Sequence, residues 1–126
     1  LKLSGRTYAR LRNDEHGQLF WSILRDLDCQ ESAASKQDIP TVMRELTNNI
    51  SGYNAAFILF EDSAKQYTVY VSLGKGLTKR SNEIKEQLIA RKENGILVFS
   101  LPALSLTEAE QKAIEQVRSI LPIVRG

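Results

Sequence analysis

Few side chains in this sequence have both the chemical type and the setting that catalysis requires. His16 is the sole histidine and Cys29 the sole cysteine, and neither lies in a motif that supplies a partner for acid–base or nucleophilic chemistry. Glu61 and Asp62 are adjacent carboxylates at a predicted turn, where neighbouring side chains usually point apart and stay solvated. One histidine, one cysteine and no carboxylate cluster also fall short of a metal site. The sequence therefore predicts a non-enzymatic protein with no metal and no cofactor.

The Gly74-Lys75-Gly76 break, which follows a predicted strand, is a candidate anion site. The sequence GKGLTKRS matches neither the P-loop pattern GxxxxGK[ST] nor the dinucleotide pattern GxGxxG. Lys75, Lys79 and Arg80 can still hold an anion together with backbone N–H groups at the start of the next helix. The competing interpretation is a turn with solvated lysines, and it is the simpler one.

The N-terminal segment is a candidate nucleic-acid surface, because Arg6, Arg10 and Arg12 surround Tyr8. Cations interleaved with an aromatic residue are typical of surfaces that bind nucleic acid. The formal net charge of the chain is only +2, however, and the sequence contains no known nucleic-acid motif. We therefore expect residues 1–12 to form a solvated arm or linker. The alternative is that this segment contacts nucleic acid together with Lys75, Lys79 and Arg80.

Apolar side chains on the predicted sheet are candidates for the lining of a ligand pocket. Aromatic residues contribute strongly to most protein cores, so packing in the core is the default expectation for them. Ligand pockets are also mainly apolar, with a few polar groups that set the orientation of the ligand. The side chains expected to line such a pocket are Phe57, Leu59, Tyr70 and Phe99.

In the first third of the chain, apolar spacing predicts one helix followed by a loop. Asn13 and Asp14 are the predicted cap, Trp21 lies off the apolar stripe, and Cys29 falls in a polar loop over residues 28–37 as an exposed thiol. The stripe consists of Leu19, Phe20, Ile23, Leu24 and Leu27.

In the rest of the chain, capping residues and apolar spacing predict helices alternating with strands. Pro40 suits the first turn of a helix that Gly52 ends, and Thr107 with Glu110 forms a capping-box pattern before the last helix. The connection between the first two strands is too short for a parallel crossover, so they are predicted to form an antiparallel hairpin. The predicted elements are helix 38–52, strands 55–60 and 67–72, helix 81–94, strand 96–99 and helix 107–121.

This order predicts an α/β protein, an α+β sandwich in which helices cover a small, mostly antiparallel sheet of three strands, or four with the N-terminal segment. A length of 126 residues corresponds to a single domain. Because the chain starts at Leu1 and stops abruptly at Gly126, we expect a piece excised from a larger protein.

The run IPTVMRELTNNISGYNAAFILFEDSAKQYTVYVSLGKG, residues 39–76, resembles the opening of a GAF domain. The run GILVFSLPALSLTEAEQKAIEQVRSIL, residues 95–121, is similar to the last strand and final helix of that family. The chain is shorter than a typical GAF domain between these parts, which implies a small or absent pocket. No chromophore or cyclic-nucleotide site carries over. Roadblock and profilin-like folds, which include dimerisation platforms, share the layout.

The resemblance implies a non-catalytic regulatory or sensory domain of a signalling or transcription-regulating protein, one that binds a small ligand or couples to a neighbouring domain through its terminal helices. The alternatives are a protein–protein interaction or homodimerisation module without a ligand and, third, a nucleic-acid-binding domain. A single cysteine and the lack of a long apolar run or signal segment predict a cytoplasmic location without membrane contact.

Overall fold

A computed structural model of the chain describes residues 2–14 and 16–122. Leu1, Glu15 and residues 123–126, which include one end of the predicted arm and the abrupt C-terminus, lie outside the described residues. Five α-helices are found within the described ranges: α1 (Leu3–Ala9), α2 (Asp26–Glu31), α3 (Ile39–Asn48), α4 (Ser81–Leu88) and α5 (Leu106–Arg118). Six strands are found there: β1 (Arg12–Asn13), β2 (Leu19–Arg25), β3 (Ala55–Glu61), β4 (Tyr67–Leu73), β5 (Arg91–Glu93) and β6 (Ile96–Leu101).

The described strands form one mixed sheet in the order β1-β2-β3-β4-β6-β5. β2 and β3 are parallel, and the other neighbouring strands are antiparallel. The connection between the parallel strands carries α2 and α3, as a parallel crossover requires. The predicted α/β sandwich with a mostly antiparallel sheet is confirmed, but the predicted count of three to four strands is wrong, since the sheet has six.

Helices cover both faces of the sheet, and each face has its own apolar core. On one face Phe57 and Leu59 pack with α4 and α5, and we call this the α4/α5 face. On the other face Ile58 and Phe60 pack with α1 and α3, and we call this the α1/α3 face. Because β3 lies between the two cores, all seven of its residues are buried. The uninterrupted apolar run AAFILF follows from this double burial.

The helix predicted around residues 19–27 is wrong, because this segment contains β2. Leu19 and Trp21 face α5, while Leu24 points to the α1/α3 face. Trp21 is therefore buried in the core, where its ring stacks on Phe57 with 6.0 Å between centroids. Asp14 caps no helix; its carboxylate instead accepts the backbone N–H groups of residues 18 and 19 in the turn before β2.

The predicted arm over residues 1–12 and the predicted loop over residues 28–37 are also corrected. The arm contains α1 and the first residue of β1, and α1 packs against α3 and β2. The loop contains the end of α2 and a 3-10 turn over Lys36–Asp38. Charged contacts between α1 and α2, described below, hold both segments in place.

The remaining elements agree with the predictions except at their ends. Helix α3 begins with Pro40 in its first turn, and β3 and β4 form the antiparallel hairpin. Helix α3 ends at Asn48 rather than near Gly52, and α4 ends at Leu88 rather than at residue 94. The cap of α5 is Ser105, whose hydroxyl accepts the backbone N–H of Glu108, so the predicted capping box lies two residues too late.

Candidate functional site

Hollows lie at both ends of the central strands of the sheet. At the carboxyl ends of β2 and β3, a cleft of about 580 Å³ opens beside Arg25 and Glu61, which are register partners. At the opposite end, a hollow of about 600 Å³ lies between the α3–β3 loop and the segment after β4. Seven residues of β3 separate the two, or roughly 20 Å of extended chain. Ligands of α/β proteins commonly bind at the carboxyl ends of parallel strands, so the first hollow is the expected one.

We call the first hollow the ion-pair cleft, and Asp28 is its central anion. The Asp28 carboxylate accepts hydrogen bonds from Arg10 at 2.6 Å, from Arg6 at 3.1 Å and from the backbone N–H of Arg25 at 2.8 Å. Burial acts to raise the pKa of Asp28, but these donors outweigh it, so the pKa lies below its ordinary value. The contact joins α1 to the start of α2 and holds the N-terminal segment on the sheet.

Glu61 is the second buried anion of the ion-pair cleft. Its side chain is only 4% exposed, and it accepts hydrogen bonds from the Tyr67 hydroxyl at 2.8 Å and from Arg25 Nε at 2.9 Å. Lys65 Nζ lies 3.6 Å from the same carboxylate. Burial acts to raise the pKa of Glu61, and the bonds from Tyr67 and Arg25 lower it by more. Glu61 is therefore not the solvated turn residue that the sequence predicts, whereas its neighbour Asp62 accepts backbone N–H groups within the β3–β4 turn.

A third contact closes the side of the ion-pair cleft next to α5. Glu110 accepts a hydrogen bond from Arg12 at 2.7 Å and another from the indole N–H of Trp21 at 2.9 Å. The cations that line the cleft, Arg10, Arg12, Arg25 and Lys65, are thus each within ion-pair distance of a carboxylate. An incoming anion would have to break these pairs, so we interpret the cleft as a clamp that joins helices to the sheet.

We call the second hollow the polar hollow, and Gly74 lies in the chain between two of its lining residues, Leu73 and Lys75. The Gly74 N–H donates to the Asn54 carbonyl at 2.7 Å. A Cβ added at Gly74 would lie 2.0 Å from the Tyr53 carbonyl oxygen, which no real side chain tolerates. Glycine is therefore required for the end of β4 to approach the start of β3 so closely. This contact brings the α3–β3 loop against the segment that carries Lys75.

Lys75 is the one charged side chain among the described residues that line the polar hollow. It has no ion pair within the described part of the chain. The side chains of Asn48, Ser51 and Asn54 also line the hollow and have no hydrogen bond to a described residue. The hollow therefore combines one unneutralised cation with amide and hydroxyl donors, which is the chemistry that holds a small anion.

The structure separates the six basic residues that the sequence selects. Arg6, Arg10 and Arg12 are held by carboxylates at the ion-pair cleft. Lys75, Lys79 and Arg80 lie in a 3-10 segment, residues 75–80, at the other end of the sheet. Of these three, only Lys75 lines the polar hollow, while Arg80 pairs with Glu83 at 3.4 Å.

The four apolar candidates are divided between the two faces of the sheet. Phe57, Leu59 and Phe99 belong to the core of the α4/α5 face, and Tyr70 to the core of the α1/α3 face. Phe57 and Leu59 are fully buried, so both follow the default expectation of core packing. Tyr70 lines a hollow of about 400 Å³ near Arg91, and burial raises its pKa to about 12. The four side chains therefore share no single cavity.

The remaining reactive groups do not converge either. Cys29 is buried in the α1/α3 core rather than exposed, and burial raises the pKa of its thiol, which makes it less reactive. Within residues 2–14 and 16–122, no three His, Cys, Asp or Glu side chains are grouped as a metal site would require. The sequence reasoning overlooked Asp28, and a possible signal was Asp26 and Asp28 placed just after an apolar run.

Comparisons with known proteins identify the fold and little more. No protein-family model matches the chain, and no curated protein matches it. The chain is similar to the crystal structure of an exopolyphosphatase-related protein from Bacteroides fragilis, with a TM-score of 0.70 and 11% sequence identity. The match covers 93% of this chain and 33% of that protein, so the chain spans about a third of its length. In the part of the chain that the structure describes, no helix has the length and apolar character needed to cross a bilayer.

Proposed function

We propose that this chain is a non-catalytic regulatory domain that binds a small phosphate-bearing anion in the polar hollow. The observation that carries the proposal is the contrast in charge pairing. Lys75 has no described carboxylate partner, whereas each cation lining the ion-pair cleft has one. Transferring an anion to Lys75 gains an ion pair without breaking an existing one, and this makes the polar hollow the better binding site.

The neutral groups around Lys75 support a phosphate-type ligand. The amides of Asn48 and Asn54 and the hydroxyl of Ser51 are donors without described partners, and a phosphate offers several acceptor oxygens. The similarity to an exopolyphosphatase-related protein is compatible with a phosphate-bearing ligand. The proposal includes the GAF-like sensory role that the resemblance of residues 39–76 and 95–121 implies. It also places the chain in the cytoplasm, where a free thiol such as that of Cys29 stays reduced.

The test is an NMR titration of the 126-residue chain with phosphate, pyrophosphate and tripolyphosphate at constant ionic strength. We expect the backbone amide signals of residues 48–54 and 74–78 to shift, while those of residues 25–28 stay in place. A ligand that binds only the folded state at 100 times its Kd should also add about 2.7 kcal/mol to the free energy of unfolding. Release of phosphate from tripolyphosphate, followed in the same samples, should stay at the level of buffer.

Two lysine variants provide the matched comparison. Lys75→Ala should abolish the shifts, because it removes the charge that lines the polar hollow. Lys79→Ala removes another exposed charge from the same 3-10 segment but outside the hollow, and it should bind as the unmodified chain does. Equal loss in both variants, or shifts centred on the ion-pair cleft, would contradict the proposed site. Phosphate release above buffer would contradict the non-catalytic assignment.

A second candidate function is an interaction module, and it is favoured by large apolar side chains left in solvent. Ile89 is 90% exposed and Leu104 is 95% exposed, and both lie near β6. Homodimerisation through this region is the simplest form of the proposal. Light scattering over a range of protein concentrations tests it, and a mass that stays at 14.2 kDa would remove it.

A further inference from the structure

The outer edge of β6 is open over half of its length. β5 pairs with β6 only from Ile96 to Val98, whereas β6 continues to Leu101 and stays paired with β4 on its inner side. No described strand pairs with the outer side of Phe99, Ser100 and Leu101. An unpaired strand edge is a template for a further strand, and proteins usually shorten, charge or cover such edges.

The chain fails to cover this edge because of the way α4 ends. Extending the β5–β6 register by two residues would place Ile89 opposite Ser100. Ile89 is instead in the left-handed conformation at φ 53°, where it ends α4, and Ala90 donates to the Lys85 carbonyl at 2.9 Å. A β-branched residue is rare in this conformation. The chain therefore enters β5 only at Arg91, and the place opposite Ser100 is left unoccupied by the described residues.

The register shows which backbone groups this edge presents. Asn94 and Gly95 both have positive φ, which defines a two-residue type I′ turn with Glu93 and Ile96 as its hydrogen-bonded pair. Hydrogen-bonded and non-hydrogen-bonded positions alternate along an antiparallel strand. Counting on from Ile96, the N–H and C=O of Val98 face β5, and those of Ser100 face the open side. Ser100 is also exposed, and no described group forms a hydrogen bond with its outward N–H and C=O.

A groove of about 560 Å³ runs along the open edge, and its lining defines the kind of peptide that fits. We call it the edge groove, and its lining includes Ile89, Arg91, Ser100, Pro102 and Gln116. The exposed Ile89 side chain offers an apolar contact. Arg91 is the one charged residue among the described lining residues, and it is paired with Glu93 at 3.0 Å. The next residue, the exposed Lys92, has no ion pair with a described residue, so the unpaired charge beside the groove is positive.

We propose that the edge groove binds an extended acidic segment of a partner protein, which adds as a strand beside β6 at Ser100. The backbone of the segment would exchange hydrogen bonds with the N–H and C=O of Ser100. Its apolar side chains would contact Ile89 and Pro102, and its carboxylates would lie toward Lys92. Strand addition of this kind takes its affinity from main-chain bonds and its selectivity from alternate side chains.

The experiment is a selection of displayed random peptides against the full 126-residue chain, followed by hydrogen exchange with the enriched peptide. We expect peptides that alternate apolar and acidic residues, and exchange of the Ser100 amide slowed about tenfold or more by the bound peptide. Absence of enrichment over bare support would overturn the proposal. Enriched peptides that leave the Ser100 exchange rate unchanged would overturn it as well.

Three variants separate binding from folding. Ser100→Pro removes the outward N–H without removing a hydrogen bond to β4, a change that an edge position tolerates, and should weaken the peptide about tenfold. Ser100→Thr keeps that N–H and should bind normally. Ile89→Gly removes the apolar contact and relieves the left-handed backbone, so it should bind more weakly without any fall in thermal midpoint. Equal binding by Ser100→Pro and the unmodified chain would refute strand addition. A concentration-dependent dimer that Ser100→Pro abolishes would assign the edge to a second copy instead.

Discussion

The ion-pair cleft and the polar hollow have similar volumes and lie at opposite ends of the same strands, yet they differ in how their charges are used. In the cleft, the buried carboxylates of Asp28 and Glu61 collect arginine side chains from α1 and β2. In the hollow, Lys75 has no such partner within the described chain. The density of charge around a cavity is therefore a poor guide to ligand binding, because paired charges hold the fold together and unpaired charges remain available to a ligand.

The largest expected effect tests the structural role of the cleft. Asp28→Asn should lower the free energy of unfolding by about 3–5 kcal/mol, since it leaves Arg6 and Arg10 without their shared buried partner. Urea denaturation measures the loss. Glu31→Gln is the control, because Glu31 is half exposed in its pair with Arg6, and it should cost less than about 1 kcal/mol. Similar losses in the two variants would show that the buried position of Asp28 gives it no special weight.

The next effect tests how tightly the polar hollow is built. Gly74→Ala should cost about 1–3 kcal/mol, because the new Cβ must displace the Tyr53 backbone, and it should also weaken phosphate binding. Gly76→Ala is the matched control, since no atom lies within 4 Å of its added Cβ, and it should stay within about 0.5 kcal/mol. Thermal melts with and without phosphate measure both quantities. If Gly74→Ala changed neither stability nor phosphate binding, the Tyr53 backbone would have to shift at little cost to accept the new Cβ.

A smaller effect appears on acidification. The folded-state pKa values of Asp28 and Glu61 lie below their ordinary values of 3.8 and 4.5. A lowered folded pKa means that the stabilisation is fully present above the ordinary value and is lost as pH falls through the folded one. The free energy of unfolding should therefore fall below about pH 4.5. Asp28→Asn and Glu61→Gln should each flatten this acid limb, and an unchanged limb in both would assign acid sensitivity to other groups.

The smallest expected change compares one cation from each region. Lys75→Ala should alter the free energy of unfolding by less than about 0.5 kcal/mol, because it breaks no described ion pair. Arg10→Ala should cost about 1 kcal/mol, because its pair with Asp28 is partly exposed. Phosphate binding should show the opposite order, with loss in Lys75→Ala and retention in Arg10→Ala. The same ranking in both assays would remove the distinction between the two regions.

Local patterns predicted the elements whose own sequence is unambiguous. Helix α3 has a proline in its first turn and a clear apolar stripe, and the β3–β4 hairpin has a short polar connection. The segment that became β2 was mispredicted because Leu19, Ile23 and Leu24 fit a helical spacing. Its actual conformation depends on pairing with β3, which lies some 30 residues further along the chain. Sequence spacing alone cannot show such a pairing.

The candidate sites were likewise only partly predictable from local sequence. Lys75 was selected from the sequence, but so were Lys79 and Arg80, and only the folded backbone shows which of them faces a hollow. The arginines of the N-terminal segment were predicted to be solvated or to bind nucleic acid, whereas they form ion pairs with Asp28 and Glu110. Each arginine is paired because a carboxylate from a distant element lies beside it in the folded chain.

Short-range sequence patterns were enough to predict the fold class, the central hairpin, helices α3, α4 and α5 and the basic turn after β4. Those features depend on the periodicity and turn chemistry of neighbouring residues, which are local properties. Tertiary structure alone decided that β2 pairs in parallel with β3, that Asp28 and Glu61 neutralise the cleft, and that Lys75 and the edge of β6 are left unpaired. The physical reason is that pairing and burial depend on residues brought together from distant parts of the chain.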